Sequence, residues 1–313
     1  MKLLFFDCEC ANCYDHEGKI CSFGYVLTDE CFSVLESRDI IINPDAPFDP
    51  HVLGVGPNSI DLAYTPIRFQ LAEKFPFFFP TIAELLSDPK TMVFGYAIDN
   101  DIGFLLSECR RYKKELPLFS YHDIQEIYRV YDSYTRTPSL EDALKGLRIP
   151  FEDLEGHESK DDAMMSMLVL KALVEANGTD LKGLLEAYPS AAGHVKLNLL
   201  QARLDSLPPR YDVPYNREVM YEFNLLTYSW VDNPLDSRLE GYGFLFSPTL
   251  KKDAALSLPL AHELIAHRGL LVRSLRETSY YLVRDEEEKA TVEPLFADSA
   301  IVVLTPEEAK SLF

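Results

Sequence analysis

The chain opens on an apolar run, Lys2 to Glu9 (KLLFFDCE), whose residues favour a strand and whose end carries two carboxylates, Asp7 and Glu9. The i, i+2 spacing places both on one face. Lys19 to Leu27 (KICSFGYVL) and Val34 to Asn43, which contains the run IIIN, predict two further strands in a meander. Prolines at 44, 47, 50, 57, 66, 76 and 80 then predict a long irregular segment, with helix resuming at IAELLSD behind Thr81 as N-cap. Thr91 to Ala97 (TMVFGYA) predicts a fourth strand running into IDNDIGFLLSECRR, where Ile98, Ile102, Leu105, Leu106 and Cys109 recur at helical spacing. A short strand at Leu116 to Tyr121 and a helix at Asp123 to Asp132 follow. Ser139 to Leu147 reads as a helix started by the pair Ser139 and Asp142. GHESKDDAMMSMLVLKALVEAN then predicts an amphipathic helix with Met165, Leu168, Val169 and Ala172 facing inward.

Past Asn177 the pattern changes. Leu181 to Ala187 and His194 to Leu207 predict helices, and SLPPRYDVPYN (Ser206 to Asn216) has the composition of a linker. From Leu239 the order is strand (GYGFLFSPTL), helix (Leu258 to His267), strand (Leu270 to Arg273), strand (SYYLVRD), helix (Glu287 to Phe296), strand (AIVVLT) and a helix from Pro306. Short strands alternating with helices predict a small parallel sheet covered on both faces.

A length of 313 residues accommodates about two domains. No apolar run reaches the roughly 18 residues that span a bilayer, and the N-terminal run is too short and too soon acidic for a signal peptide. These features predict a cytoplasmic protein without membrane contact. The net charge of -20 removes the basic footprint of most nucleic-acid binders. Any nucleic-acid contact is therefore expected to be small and helped by metal ions, or made through a partner. Six cysteines fall in the first third, at 8, 10, 13, 21, 31 and 109. Cys8, Cys10, Cys13 and Cys21 offer a zinc site as one reading. Free, packed thiols are favoured, because Cys8 faces away from its two acidic neighbours and Cys21 falls within a strand.

Asp7 and Glu9 repel one another, and a hard cation such as Mg²⁺ or Mn²⁺ would relieve that repulsion. Asp101, with Asp99 nearby, lies where a strand passes into a helix. Sites are built at such junctions, but for an isolated acid there helix capping is the favoured account. His157 precedes Asp162 by five residues at the head of the next long helix.

FFDCE, GYAIDNDIGFLL and GHESKDDA, in this order and on these elements, resemble the DEDDh family of 3'-to-5' exonucleases over residues 1 to 180. The resemblance implies a ribonuclease H-like α/β fold, a mixed sheet with flanking helices. It also implies that Asp7, Glu9, Asp101, His157 and Asp162 form the catalytic set. Asp7, Glu9, Asp101 and Asp162 would hold two divalent cations, Mg²⁺ or Mn²⁺: Asp7 bridging both, Glu9 and Asp162 completing one, Asp101 holding the other through waters. His157 would be the general base. Asp161, beside Asp162, leaves a one-residue ambiguity that the spacing from His157 resolves. Cys10 stands where family members carry Thr or Ser, which puts a ribose or phosphate contact in question. Phe69, Phe75, Phe77, Phe78 and Phe79 offer bases a stacking surface or, the favoured reading, form a local apolar core.

Residues 239 to 313 resemble a BRCT domain, with FLFSPTL at its first turn, behind a helical extension and linker at 181 to 238. Ser247 and Lys289 match two of three phosphate-reading positions, but Pro248 replaces the glycine and lacks its N–H. That favours a docking module for a protein partner or a DNA end. The function expected is metal-dependent hydrolysis at single-stranded 3' ends, DNA before RNA, in a setting such as DNA repair. The alternative is a non-catalytic adaptor for nucleic-acid ends or proteins that acts through its tail.

Overall fold

The computed structural model describes residues 1–14, 17–57, 59–133, 137–208, 216–227 and 234–313. The chain divides into two compact units, Met1–Asn198 and Leu199–Phe313.

The first unit is built on a six-stranded mixed sheet of order β3-β2-β1-β4-β5-β6. Its strands are β1 (Lys2–Tyr14), β2 (Glu17–Asp29), β3 (Val34–Ile41), β4 (Thr91–Gly95), β5 (Ser120–Asp123) and β6 (Ala192–His194). β1, β2 and β3 form the predicted antiparallel meander, and β4 and β5 continue the sheet in parallel beside β1. Leu3, Leu4, Phe5 and Phe6 are all fully buried, so the run LLFF is that of a strand covered on both faces. Leu3 and Phe5 pack with Val26 and Phe94 against α4 (Ile124–Tyr131), α5 (Leu140–Gly146) and α6 (Ser159–Asn177). The remaining helices of this unit are α1 (Pro66–Gln70), α2 (Phe75–Ser87), α3 (Asp99–Arg111) and α7 (Leu181–Ala187); α8 (Val195–Asp205) contains the division between the units.

Several boundaries differ from the sequence reading. β1 does not stop at Glu9. Cys10 and Ala11 are buried, and the strand continues through an irregularity after Glu9 to Tyr14, which puts both carboxylates in mid-strand. α2 begins at Phe75 rather than behind Thr81. Pro76 falls in its first turn, where no N–H is required, and only Pro80 removes an internal bond. Phe75 anchors this early start, fully buried and stacked on Tyr112. Among the other phenylalanines, Phe69 is buried but Phe77 is two-thirds exposed, so the apolar core forms without it. β5 lies later than 116 to 121, and the three-residue β6, antiparallel to it, carries too short a pattern to be read.

In the second unit β7 (Gly243–Phe246), β8 (Leu270–Leu271), β9 (Tyr280–Leu282) and β10 (Val302–Leu304) form an all-parallel sheet of order β10-β9-β7-β8. α9 (Arg217–Leu226), α10 (Pro248–Lys252), α11 (Ala254–Ala266), α12 (Glu286–Val292) and α13 (Pro306–Lys310) complete it. α11 starts before Leu258, and the helix predicted to reach Phe296 ends at Val292, ahead of a tighter turn containing Pro294. Most of the proposed linker, 209–215, lies outside the described residues. Among the described residues no helix is long and apolar enough to cross a membrane.

One position governs how α6 meets the sheet. Gly24 on β2 pairs with Asp7 on β1, and a Cβ there would overlap the backbone of Ser159 and Lys160 in the first turn of α6. The buried hydroxyls of Ser22 and Ser159 hydrogen-bond at the same contact. Gly24→Ala is expected to push α6 off the sheet, costing about 1–3 kcal/mol or more. Thermal unfolding should register this as a clear fall in Tm, with no comparable loss for an alanine at the uncrowded Gly103.

Candidate active site

The site is built where β1 outruns its parallel neighbour. β4 pairs with β1 only from Lys2 to Phe5, after which the chain turns through Ala97, in a left-handed conformation (φ 55°), into α3. The N–H of Cys8 on β1 is taken instead by Asp101 in the first turn of α3, at 2.9 Å from Oδ1. Asp101 is buried and locked to the strand between Asp7 and Glu9. Asp99 serves elsewhere: its Oδ1 accepts from the Tyr121 hydroxyl (2.6 Å) and from the Asn198 amide (2.9 Å).

From the opposite side the head of α6 delivers His157 and Asp162. The His157 N–H donates to Asp162 Oδ2 at 3.0 Å, and its ring Nδ1 lies 3.4 Å from Glu9 Oε1. His157 is in the left-handed region (φ 64°), a conformation that costs a residue with a Cβ about 1–2 kcal/mol. Asp161 points away, with Oδ2 accepting from the Glu155 N–H (2.9 Å) and Oδ1 near Lys160 Nζ (3.3 Å). Asp162, and not its neighbour, is the acid that converges with Glu9 and His157.

Glu9, His157 and Asp162 converge so that one ligand atom from each lies within 4.8 Å of the others, the one such group of metal-ligating side chains among the described residues. The four cysteines considered for zinc are not brought together in this way. Asp7 and Asp101 lie alongside the group. Burial pushes the Asp7 carboxyl well up, and the charges of Asp101, Asp162 and Glu9 push it further. Asp101 is raised mainly by burial, against the opposing pull of the Cys8 N–H. Asp162 is raised to about 7, by burial first and then by Glu9. The hydrogen bond to Glu9 holds His157 above its usual 6.5, against the effect of burial. A hard divalent cation suits this donor set, since it favours carboxylate oxygens and would offset the mutual repulsion of these acids.

What brings Glu9, His157 and Asp162 together lies partly outside their own motifs. Gly24, Ser22 and Ser159 set the approach of α6; a glycine interrupting an apolar strand is the sequence signal of such a close approach.

No protein-family model matches the chain, and no curated protein does. Among solved structures, it is similar to a 3'-exonuclease recognising the 3' end of a histone mRNA stem-loop (13% identity, TM-score 0.47, covering 56% of this chain and 64% of that one). It is also similar to the zinc-bound form of the E. coli exonuclease I complex with single-stranded DNA (21%, 0.49, 59% and 43%). A third is the nuclease domain of 3'hExo, a DEDDh family member, bound to rAMP (15%, 0.47, 56% and 91%). The chain spans less than two thirds of the first two.

A carboxyl whose pKa is raised on folding stabilises the fold below its unfolded value near 4 and loses that contribution as pH climbs through its folded value. Without metal, the protein is therefore expected to lose stability between about pH 4 and 7 on account of Asp162. Asp162→Asn should raise Tm at pH 8 in EDTA, by roughly 2–4 °C per kcal/mol of repulsion relieved, and leave it unchanged at pH 4. Added Mn²⁺ should stabilise the wild type more than the variant; calorimetry across pH checks both.

Proposed function

We propose that the first unit is a metal-dependent 3'-to-5' exonuclease of the DEDDh type with a ribonuclease H-like fold. Its substrate is a single-stranded nucleic-acid 3' end, DNA before RNA. The observation carrying this reading is that two motifs distant in sequence bring Glu9, His157 and Asp162 to one point, beside the half-buried Asp7 and, from a third motif, the buried Asp101. Asp7, Glu9, Asp101 and Asp162 would hold two divalent cations, which when bound supply a water acidic enough to attack near neutral pH and neutralise charge on the phosphate. His157, on an exposed loop with its ring against Glu9, would be the group that takes a proton from the attacking water. Asp162 fixes the His157 backbone through its N–H, and Asp101 ties α3 to β1, so the groups that bind and the group that takes the proton are carried on one frame. A net charge of -20 disfavours the many phosphate contacts that long duplex requires, which favours short single-stranded ends.

For the second unit, the reading is a BRCT-like docking module. The strands and helices follow the predicted order in an all-parallel sheet. Ser247 is buried with its hydroxyl accepting from the Leu250 N–H (3.1 Å), and Lys289 Nζ donates to both carboxylate oxygens of Glu308 (2.5 and 2.7 Å). Both are engaged within the unit, which favours docking of a protein or DNA end over phosphate reading.

Single-stranded DNA and RNA labelled at either end, incubated with Mn²⁺, Mg²⁺ or EDTA, test the activity. Stepwise shortening from the 3' end that requires metal is expected, and Asp7→Asn should reduce it by at least about a thousandfold. Metal-independent cleavage, or none, would remove the assignment. Because His157 acts unprotonated and is held above 6.5, the acidic limb of the rate profile should fall above that value. His157→Ala should lower the rate by about 10²–10⁴-fold and abolish the limb.

A further inference from the structure

The loop carrying His157 is gripped from outside by residues with no part in the chemistry above. The hydroxyl of Tyr64 donates to Glu158 Oε1 at 2.6 Å, and Lys160 Nζ reaches the same oxygen at 3.2 Å. One residue before Tyr64, the N–H of Ala63 donates to the carbonyl of His157 at 3.4 Å. His157 is thus bounded on both sides: its N–H is held by Asp162, its carbonyl by Ala63, and the next side chain by Tyr64.

Tyr64 is itself anchored. Its ring meets Phe69 edge-on at 5.9 Å, Phe69 packs against Phe48 at 5.4 Å, and the Arg68 guanidinium covers the Tyr64 ring at 4.1 Å. Phe69 is buried in a small cluster with Leu62, Ala11 of β1 and Cys21 of β2. Ala11 lies two residues beyond Glu9 on the same strand. A closed circuit results, running from Glu9 along β1 to Ala11, through Phe69 and Tyr64 to Glu158, and back through His157 to Glu9.

We propose that Tyr64 is a positioning residue for His157, fixing the imidazole against Glu9 by tying Glu158 to the extension of the β1–β2 hairpin. This inference rests on the exonuclease reading for its effect on rate, but not for its effect on structure. His157 holds a left-handed backbone that an untethered loop would relax, and displacement of a reacting group by about 1 Å costs as much as 10²-fold in rate.

The test uses the full chain. Tyr64→Phe keeps the ring, its contact with Phe69 and its cover by Arg68, and loses the hydroxyl that donates to Glu158 and lies beside Asp39; the Glu158 variants isolate the first of these. It is expected to lower kcat on a single-stranded oligonucleotide about tenfold with KM within about twofold. Amide exchange across 155–163 should accelerate while the rest of the first unit is unaffected. Glu158→Ala should reproduce both effects, Glu158→Gln, which retains an acceptor, should recover most of the rate, and Tyr64→Phe with Glu158→Ala should be no worse than either alone. Unchanged exchange across 155–163 in Tyr64→Phe would overturn the proposal, as would a double variant whose loss is the product of the single losses. If the wild type hydrolyses no nucleic acid, the exonuclease reading fails, and the exchange data still decide whether Tyr64 holds the loop.

Discussion

Mutual repulsion of carboxyl groups held away from water is the constraint to which the first unit is shaped. Asp7, Asp101 and Asp162 each have a pKa raised by burial, and each is raised further by a neighbouring acid. An arrangement of this kind does not form from side chains that are free to move apart. Each acid is held by something stiffer than itself: Asp7 by a central strand buried on both faces, Asp101 by the Cys8 N–H, Asp162 by a helix whose first turn lies against Gly24. The apolar packing of Leu3, Phe5, Val169 and Leu170 therefore does more than bury surface. It holds charges where, alone, they would not stay.

The same rigidity is spread over elements distant in sequence. β1 contributes two acids, α3 one, and α6 with the loop before it an acid and the imidazole, and the sheet makes the three segments neighbours. Backbone groups do much of the aiming. The left-handed turn at Ala97, the left-handed His157 and the irregularity after Glu9 all lie within this small region. Unfavourable local conformations gathered in one place require surroundings that over-determine them. The Tyr64–Glu158 bond, with the aromatic cluster on the hairpin behind it, provides such surroundings for one of the three.

Much of this could be read in the chain because the informative residues were chemically unusual for their positions. Acids ending an apolar run, an acid at a strand-to-helix junction and a histidine ahead of a helix all depart from what packing alone would select. Helix caps such as Ser139 with Asp142 were equally direct, since a local hydrogen bond leaves a local pattern. What escaped was long-range or counter to local preference. Pro76 and Pro80 suggested loop where burial of Phe75 sustains a helix. Cys10 to Tyr14 extend β1 because β2 is there to pair with, not because of their own propensity. Tyr64 and Glu158 are 94 residues apart, and neither carries any mark of the other in the sequence.

The bond between Cys8 N–H and Asp101 Oδ1, and the matching one between His157 N–H and Asp162 Oδ2, tie both carboxylates to main chain rather than to other side chains. The aim of each acid is therefore inherited from the path of a strand or a loop. Exchanging a neighbouring side chain for another of its size leaves that aim in place. A change that shifts the backbone, even one made far away along β1 or the loop before α6, redirects it.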